Sequence, residues 1–287
     1  MARVSMIKGV DIRENIRMSL DPIAGEIIEA IGDRRVVIKP NFVSTSIQLA
    51  ATHADHIRGV LDCLGEFYKR KVIVAEAAAG NTLEGYRNFD YHGLLDEYDL
   101  ELVDLNCGPF EMVEIEDSTG KQIYVDVASL LMSPDSYKIS AARLKTHDAV
   151  VVTLSIKNMA MGSVSGPDKA KVHQGIRQTN LNIAKLARLV WPDLAVIDGL
   201  EGMEGDGPSF GDPISVWVAI SSTDPLAADR VACEVMGVDF SKVGYLNFCE
   251  GLGEHDMERI EIVGTPLAQC IKPFKLHSSV EEQYRWK

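Results

Sequence analysis

The sequence has few cysteines, and they lie far apart along the chain. None of the five (Cys63, Cys107, Cys233, Cys249 and Cys270) belongs to a C-x-x-C pair. Zinc and iron–sulfur sites usually draw on closely spaced cysteines, and small secreted domains on a paired disulfide framework. We therefore expect reduced thiols and no intrinsic iron–sulfur cluster.

Positive charge is also scarce. The chain has 29 Lys and Arg against 42 Asp and Glu, a net charge of −13. Sequence-independent nucleic-acid binding needs a basic face that neutralises phosphates, and docking on an anionic membrane needs one as well. The longest apolar run, around 149–156, is too short to cross a bilayer. We expect neither a nucleic-acid nor a membrane partner.

Several well-known signatures are missing. The first residues, Met1 to Lys8, lack the apolar stretch and small-residue cleavage site of a secretory signal, which favours a cytoplasmic location. There is no Walker sequence, no G-x-G-x-x-G fingerprint, no G-x-S-x-G elbow and no H-E-x-x-H. These absences leave the P-loop, tight dinucleotide-binding, serine hydrolase and metalloprotease classes without support.

What the sequence does contain is an alternation of apolar runs and helical patterns. Short strands are predicted at 34–40, 71–76, 100–105, 137–142, 193–198 and 216–221, and 258–263 reads as an edge strand. Helices are predicted at 12–31, 52–68 and 180–190, and a further one between Asp224-Pro225 and Gly237. Such alternation predicts a three-layer α/β fold, a mainly parallel sheet with helices on both faces.

Two segments depart from this alternation. Alternating runs on either side of Asp117 to Gly120 predict a β-hairpin insertion at 108–128, a candidate small lobe of an otherwise single α/β domain over residues 1–287. Residues 158–178 contain several glycines and prolines and little periodicity, which predicts a long, functional loop.

Polar residues collect where the predicted strands stop. Lys39 and Asn41 follow the first strand, and Glu76 ends the second. The segment 145–147 follows a later strand, and Asp198 ends another. In a parallel sheet these ends share one edge, outside which ligands bind. The sequence therefore predicts a ligand site at that edge.

The candidate anion contacts each have a simpler structural alternative. Lys39 could hold a carboxylate or phosphate, or could form an ion pair with Glu76 or Asp198. Asn41 could bind the ligand or make a turn. Lys157 and Asn158 could add a second cation and an amide to the same site.

Candidate catalytic groups come from two segments. Lys145, Thr146 and His147 combine a cation, a hydroxyl and an imidazole, which could orient an anion and move a proton, or could form a solvated loop. His173 lies in the predicted loop, where a lid could carry it over a ligand, or where it could simply be exposed.

A glycine-rich run and one histidine raise weaker possibilities. Gly205 and Gly207 could present backbone N–H groups to a ligand. His53, at a predicted helix start, and Asp198 could ligate a divalent metal, or could be a surface histidine and a solvated acid.

Taken in order, these segments resemble the family known as domain of unknown function 362. The resemblance spans about residues 34 to 237 and is carried by Ile38-Lys39-Pro40-Asn41, Thr52-His53, Val74-Ala75-Glu76, Leu144-Lys145-Thr146-His147, Lys157-Asn158, His173, Val196-Ile197-Asp198-Gly199, Glu204-Gly205-Asp206-Gly207-Pro208 and Asp224-Pro225 with Asp229. Many relatives look fused to ferredoxin-like iron–sulfur modules, which implies redox chemistry in part of the family. This chain departs from that pattern, because it lacks the cysteine cluster that such a module uses. A looser similarity, to the nickel-pincer lactate racemases, is one of analogy.

Three functional hypotheses follow. The first is an enzyme acting on a small anionic metabolite, in which Lys39, Lys145 and Lys157 bind the anion and His147 or His173 transfers a proton. In it Glu76 and Asp198 orient the bases or ligate a metal. The second is a reductase with an external nicotinamide or iron–sulfur partner. The third is a non-catalytic anion- or metal-binding protein whose lysines form structural ion pairs. The sequence leaves homo-oligomer formation open.

Overall fold

The computed structural model describes residues 1–287 and contains eleven strands. They are β1 (Ala2–Lys8), β2 (Arg35–Lys39), β3 (Val72–Glu76), β4 (Leu100–Asp104), β5 (Phe110–Glu116), β6 (Gln122–Ala128), β7 (Ser136–His147), β8 (Val151–Thr153), β9 (Leu194–Glu204), β10 (Asp212–Ser222) and β11 (Ile260–Gly264). The helices are α1 (Ile12–Leu20), α2 (Ala24–Ile31), α3 (Ala54–Phe67), α4 (Thr82–Asn88), α5 (Leu94–Glu97), α6 (Ser129–Met132), α7 (Ser155–Ser163), α8 (Lys169–Val172), α9 (Ile176–Leu189), α10 (Pro225–Met236), α11 (Gly244–Asn247) and α12 (Val280–Gln283). None of these helices is both long and apolar enough to span a bilayer.

Nine strands form one sheet, in the order β11-β1-β10-β9-β7-β2-β3-β4, with β8 paired to the end of β7. The five neighbours from β9 to β4 are all parallel. β10 runs antiparallel to both of its neighbours, and β8 runs antiparallel to β7. The predicted mainly parallel α/β sheet is confirmed.

Both faces of this sheet are covered by helices, which explains why its central strands lack polar alternation. Val36 and Ile38 of β2 pack in one buried cluster with side chains of α1, α2 and α3. Val37, between them, points to the opposite face and joins a second cluster with side chains of α7, α9 and α10. The predicted three layers are therefore present.

Helix α10 begins and ends where the sequence predicts. The Asp224 side chain accepts hydrogen bonds from the backbone N–H groups of Leu226 and Ala227, and Pro225 occupies the first helical position. Gly237 closes the helix with φ of 66°, a left-handed conformation that suits glycine. An N-cap of this kind stabilises a helix by about 1 kcal/mol.

The predicted hairpin is also present, as a separate sheet of β5 and β6. Its inner side chains, Val113, Ile115, Val125 and Val127, are buried in the larger core cluster. The hairpin thus packs directly on the main core. The domain division of the chain stays a prediction.

Three polar segments, predicted either to follow a strand or to form a loop, belong to strands and helices. Lys145 to His147 lie inside β7, which continues beyond its parallel neighbour because β8 pairs with it through Lys145 and Thr153. Most of 158–178 is helical, in α7, α8 and the start of α9. Residues 199–204 extend β9 as the partner of β10.

The N-terminal elements also differ from the predictions. β1 was not predicted, although it lies inside the sheet between β11 and β10. The predicted helix 12–31 is divided into α1 and α2 by a short 3-10 turn at Asp21–Ile23 that contains Pro22. The cap of α3 is His53, whose Nδ1 accepts from the Asp55 backbone. The Thr52 hydroxyl accepts from the Asn41 N–H and donates to the Ala141 carbonyl.

Candidate active site

A cavity of about 530 Å³ opens at the C-terminal ends of the central strands. Its walls include the segment after β2, the end of β3, the end of β7 and the inner sides of α7 and α8. This is the sheet edge at which open α/β folds bind ligands. Its lining includes six of the candidate residues, namely Asn41, Glu76, His147, Lys157, Asn158 and His173.

A buried ion pair lies against the cavity wall. Lys39 Nζ lies 2.8 Å from Glu76 Oε2 and 2.8 Å from Asn158 Oδ1. Neither Lys39 nor Glu76 is significantly exposed. Asn158 in turn donates to Ser140 Oγ at 3.0 Å, so its amide is fixed. Lys39 is therefore an ion-pair partner of Glu76, and its role as an anion contact stays a prediction.

Lys145 lies beneath the cavity, and no carboxylate forms an ion pair with it. Its Nζ donates to Asn41 Oδ1, and to the Ala50 carbonyl at 3.0 Å. Burial, together with the nearby positive charges of Arg143 and Lys157, lowers the pKa of Lys145 well below its usual range. Lys145 therefore holds Asn41 in place as a hydrogen-bond donor, while its surroundings favour the neutral amine.

Lys157 and Lys169 bring two more ammonium groups to the cavity wall. Lys169 Nζ is occupied by backbone carbonyls, those of Met161 at 2.5 Å and Val164 at 3.0 Å. The Lys157 side chain is 5% exposed and its Nζ has no hydrogen-bond or ion-pair partner in the chain. Burial lowers the pKa of Lys157 to about 8 and that of Lys169 to about 7. Lys157 is thus the lysine free to contact a ligand.

His147 and His173 stack against each other and differ in their hydrogen bonds. His147 Nδ1 accepts from the Ala149 N–H at 3.0 Å, so the neutral ring carries its proton on Nε2. His173 Nδ1 lies 3.1 Å from the Lys169 carbonyl, which can only accept, so that ring is unprotonated at Nε2. The cavity therefore contains one imidazole N–H donor and one imidazole lone pair.

Both imidazoles are held in the neutral form. Burial, followed by the positive charge of Lys157, lowers the pKa of His147 well below its usual range and also lowers the pKa of His173. Asp148 Oδ1 lies 3.0 Å from His147 Nδ1, a contact that becomes a hydrogen bond only when that nitrogen is protonated. At neutral pH the tautomers set by Ala149 and Lys169 apply.

Three predicted contacts lie outside the cavity. Thr146 Oγ1 donates to the Gly205 carbonyl at 2.9 Å, which ties β7 to the turn after β9. A Cβ at Gly207 would lie 2.3 Å from the Thr146 carbonyl oxygen, so the glycine permits this close approach. Of this turn, Pro208 alone lines the cavity. A ligand-binding role for Thr146, Gly205 and Gly207 stays a prediction.

The two candidate metal ligands also lie elsewhere. His53 caps α3 and is partly exposed, whereas Asp198 is buried beside Arg143, with 3.6 Å between Oδ2 and Nη2. No group of three or more His, Cys, Asp or Glu side chains in the molecule is arranged to hold a metal ion. The metal-binding role of His53 and Asp198 stays a prediction.

Lys169 is the cavity residue that the sequence analysis missed. It lies four positions before His173, in the segment predicted as a loop. Residues four apart share one face of a helix, so a helical interpretation of this segment would have paired them. Asp148, next to His147, was missed as well.

Comparison with known proteins places the chain in a family. The family model described as Domain of unknown function (DUF362) matches residues 36–234, more than half of the chain. The chain belongs to the DUF362 family. The whole lining of the cavity, from Asn41 to Pro208, lies inside the matched DUF362 region.

Two individual proteins are similar to this DUF362 chain. A thylakoid-associated protein of Synechocystis sp. is 25% identical over 245 residues, which cover 83% of this chain and 74% of that protein. A crystal structure of a Thermotoga maritima protein matches with 12% identity and a TM-score of 0.48. That match covers 79% of this chain and 60% of the other, so the chain spans less than two thirds of that structure.

Proposed function

We propose that this protein is an enzyme that binds a small carboxylate- or phosphate-bearing metabolite in the cavity and transfers a proton on it. One observation carries the proposal: the cavity region is rich in buried lysines and poor in buried carboxylates. Lys39, Lys145 and Lys157 are buried, Lys169 is half-buried in the cavity wall, and Glu76 is the only buried carboxylate of the lining.

This imbalance argues for a ligand. Glu76 is already paired with Lys39, and no carboxylate oxygen lies within 4 Å of the other three ammonium groups. Burying an ammonium group is costly unless an opposite charge accompanies it. An anion in the cavity would supply that charge, and Lys157 is the group free to contact it. The same observation counts against the hypothesis that the lysines form structural ion pairs.

The imidazole pair supports proton transfer. In the neutral tautomers His173 Nε2 can accept a proton and His147 Nε2–H can donate one. A positioned general acid or base contributes roughly 10²–10⁴-fold to a rate. His173 is therefore proposed as the base and His147 as the acid.

Anion binding is tested by thermal stabilisation. Melting temperatures are measured with a panel that includes phosphate, sulfate, malonate and lactate, for the parent, Lys157→Met and Lys185→Met. Lys185 is an exposed lysine of α9 that forms an ion pair with Glu114 at 3.5 Å, and it serves as the matched control. We expect at least one anion to stabilise the parent and the control but not Lys157→Met. Equal shifts in all three proteins would place anion binding elsewhere and refute the site.

Catalysis is tested with a bound anion that has carbon-bound hydrogen, such as lactate or malonate. It is incubated with the parent in D₂O, and deuterium incorporation at carbon is followed by NMR. We expect incorporation that His173→Asn abolishes without loss of binding. If carbon-bound hydrogen is retained by every anion that the cavity binds, the proton-transfer part of the proposal fails.

A further inference from the structure

The Lys157 amine differs from the other buried amines of the cavity region. Lys39 bonds to Glu76 and Asn158, Lys145 to Asn41, and Lys169 to two carbonyls. Every one of those nitrogens is thus occupied as a donor. Lys157 Nζ has no such partner, so its lone pair is free once the amine loses its proton.

The surroundings of Lys157 favour a reactive, neutral amine. Apolar side chains such as Phe42, Ala77 and Met161 form much of the cavity wall. The one carboxylate that acts on Lys157 is Asp148, and most of that side chain is exposed to solvent. With a pKa lowered to about 8, Lys157 has a larger neutral fraction at neutral pH than an exposed lysine. Desolvated lysines of this kind attack carbonyl groups in other enzymes.

We infer that Lys157 forms a Schiff base with a small anion that carries a carbonyl group next to its carboxylate, that is, a 2-oxo carboxylate. This rests on the proposed function, because the cavity must first bind the anion. The free amine, the surplus of buried positive charge and the two imidazoles together point to this substrate class.

The step balances without a further reactant. Lys157 Nζ forms a bond to the carbonyl carbon, and the carbon–oxygen bond breaks. Both hydrogens of the neutral amine leave with that oxygen as water. His147 Nε2–H gives one proton to the oxygen and regains one from the attacking nitrogen, so it ends unchanged. Hydrolysis reverses the step.

The neighbouring groups then have defined tasks. Lys169, which lines the cavity, attracts the carboxylate when its amine is protonated. The C=N bond, once protonated, withdraws electrons from the adjacent carbon, and His173 Nε2 can take a proton from that carbon to leave an enamine. This gives a covalent route to the proton transfer proposed above, with Lys157 as the electron sink.

The test is reductive trapping in the full-length protein. The parent is incubated with pyruvate and sodium cyanoborohydride, digested and mapped by mass spectrometry. We expect one reduced pyruvate adduct, on Lys157, formed at least ten times faster than on any exposed lysine such as Lys185. Methyl pyruvate, which has the carbonyl but no carboxylate charge, should label Lys157 more slowly. Lys157→Arg should lose the adduct, whereas Lys185→Met should keep it.

The outcomes separate this inference from the proposed function. Adducts spread evenly over exposed lysines, or no adduct at all, would overturn the Schiff base. If pyruvate or another anion still gave the Lys157-dependent thermal shift, anion binding would survive that result. Loss of both the adduct and the thermal shift would refute the two together. The mapping uses the parent chain, so it does not depend on the folding of any variant.

Discussion

His147 and His173 lie with their imidazole planes 9° apart and their ring centroids separated by 6.4 Å. One ring ends strand β7 and the other follows helix α8, so the sheet and the helical layer meet at this pair. Because Ala149 and Lys169 fix opposite tautomers, the two rings offer different chemistry to the same cavity.

Replacing His173 should separate proton transfer from binding. In His173→Asn the amide Nδ2–H can keep the bond to the Lys169 carbonyl, but the basic Nε2 is gone. We expect deuterium exchange into the bound anion to fall by roughly 10²–10⁴-fold, with little change in the thermal shift that the anion produces. His92→Asn, at an exposed histidine, should leave the exchange rate unchanged. Full exchange in His173→Asn would rule out His173 as the base.

Removing Lys157 should stabilise the ligand-free protein. Its pKa is lowered from 10.5 to about 8 by burial. Since one pKa unit corresponds to 1.36 kcal/mol, Lys157→Met should raise the free energy of unfolding by about 3 kcal/mol at pH 7. Urea denaturation measures this change. A variant less stable than the parent would show that the Lys157 charge is compensated in the free protein.

The same shift predicts a pH dependence. Between pH 8 and pH 10.5 the unfolded chain keeps the Lys157 proton that the folded chain has lost. The stability of the parent therefore rises with pH through this window, and the advantage of Lys157→Met declines toward zero. Lys185→Met should show neither the advantage nor its decline. An advantage that did not change with pH would indicate a packing effect of methionine.

Breaking the buried ion pair should be costly. Glu76→Gln leaves Lys39 buried without its carboxylate, so we expect a loss of roughly 3–5 kcal/mol in the free energy of unfolding. The double variant Lys39→Met/Glu76→Leu removes both charges and should recover much of this loss. Unfolding in urea compares the single and double variants. Equal losses in both would mean that the pair contributes through shape and not through charge.

Gly162 should tolerate no side chain. A Cβ at this position would lie 1.6 Å from Lys39 Cε, in a fully buried environment. We expect Gly162→Ala to destabilise the protein by roughly 1–3 kcal/mol through overpacking. Gly25→Ala is the control, since nothing lies within 4 Å of its added Cβ in helix α2, and it should stabilise by roughly 0.5–1 kcal/mol. Thermal denaturation measures the stability change of both variants. A Gly162→Ala variant as stable as the parent would contradict the close packing.

Local patterns in the sequence were sufficient to predict the layers of the fold. A continuous apolar run such as 72–75 predicts a strand that is buried on both faces of its sheet, which requires a helical layer on each side. Asp224-Pro225 and Gly237 predict the two ends of one helix through their capping preferences. The same patterns placed lysines and histidines near one sheet edge, because the direction of parallel strands follows from their connections.

Which of those groups faces the cavity depended on contacts between distant parts of the chain. Lys39 and Lys157 look alike in sequence, but Lys39 meets Glu76 and Asn158, whereas Lys157 meets no partner. Lys169 was recognised as a cavity residue only once its segment proved to be helical. His147 was a candidate from the sequence, and it reaches the cavity on the part of β7 that pairs with β8. The protonation state of a side chain, and whether it is free to bind a ligand, depend on its neighbours in space. Tertiary packing determines those neighbours, and local sequence patterns do not predict them.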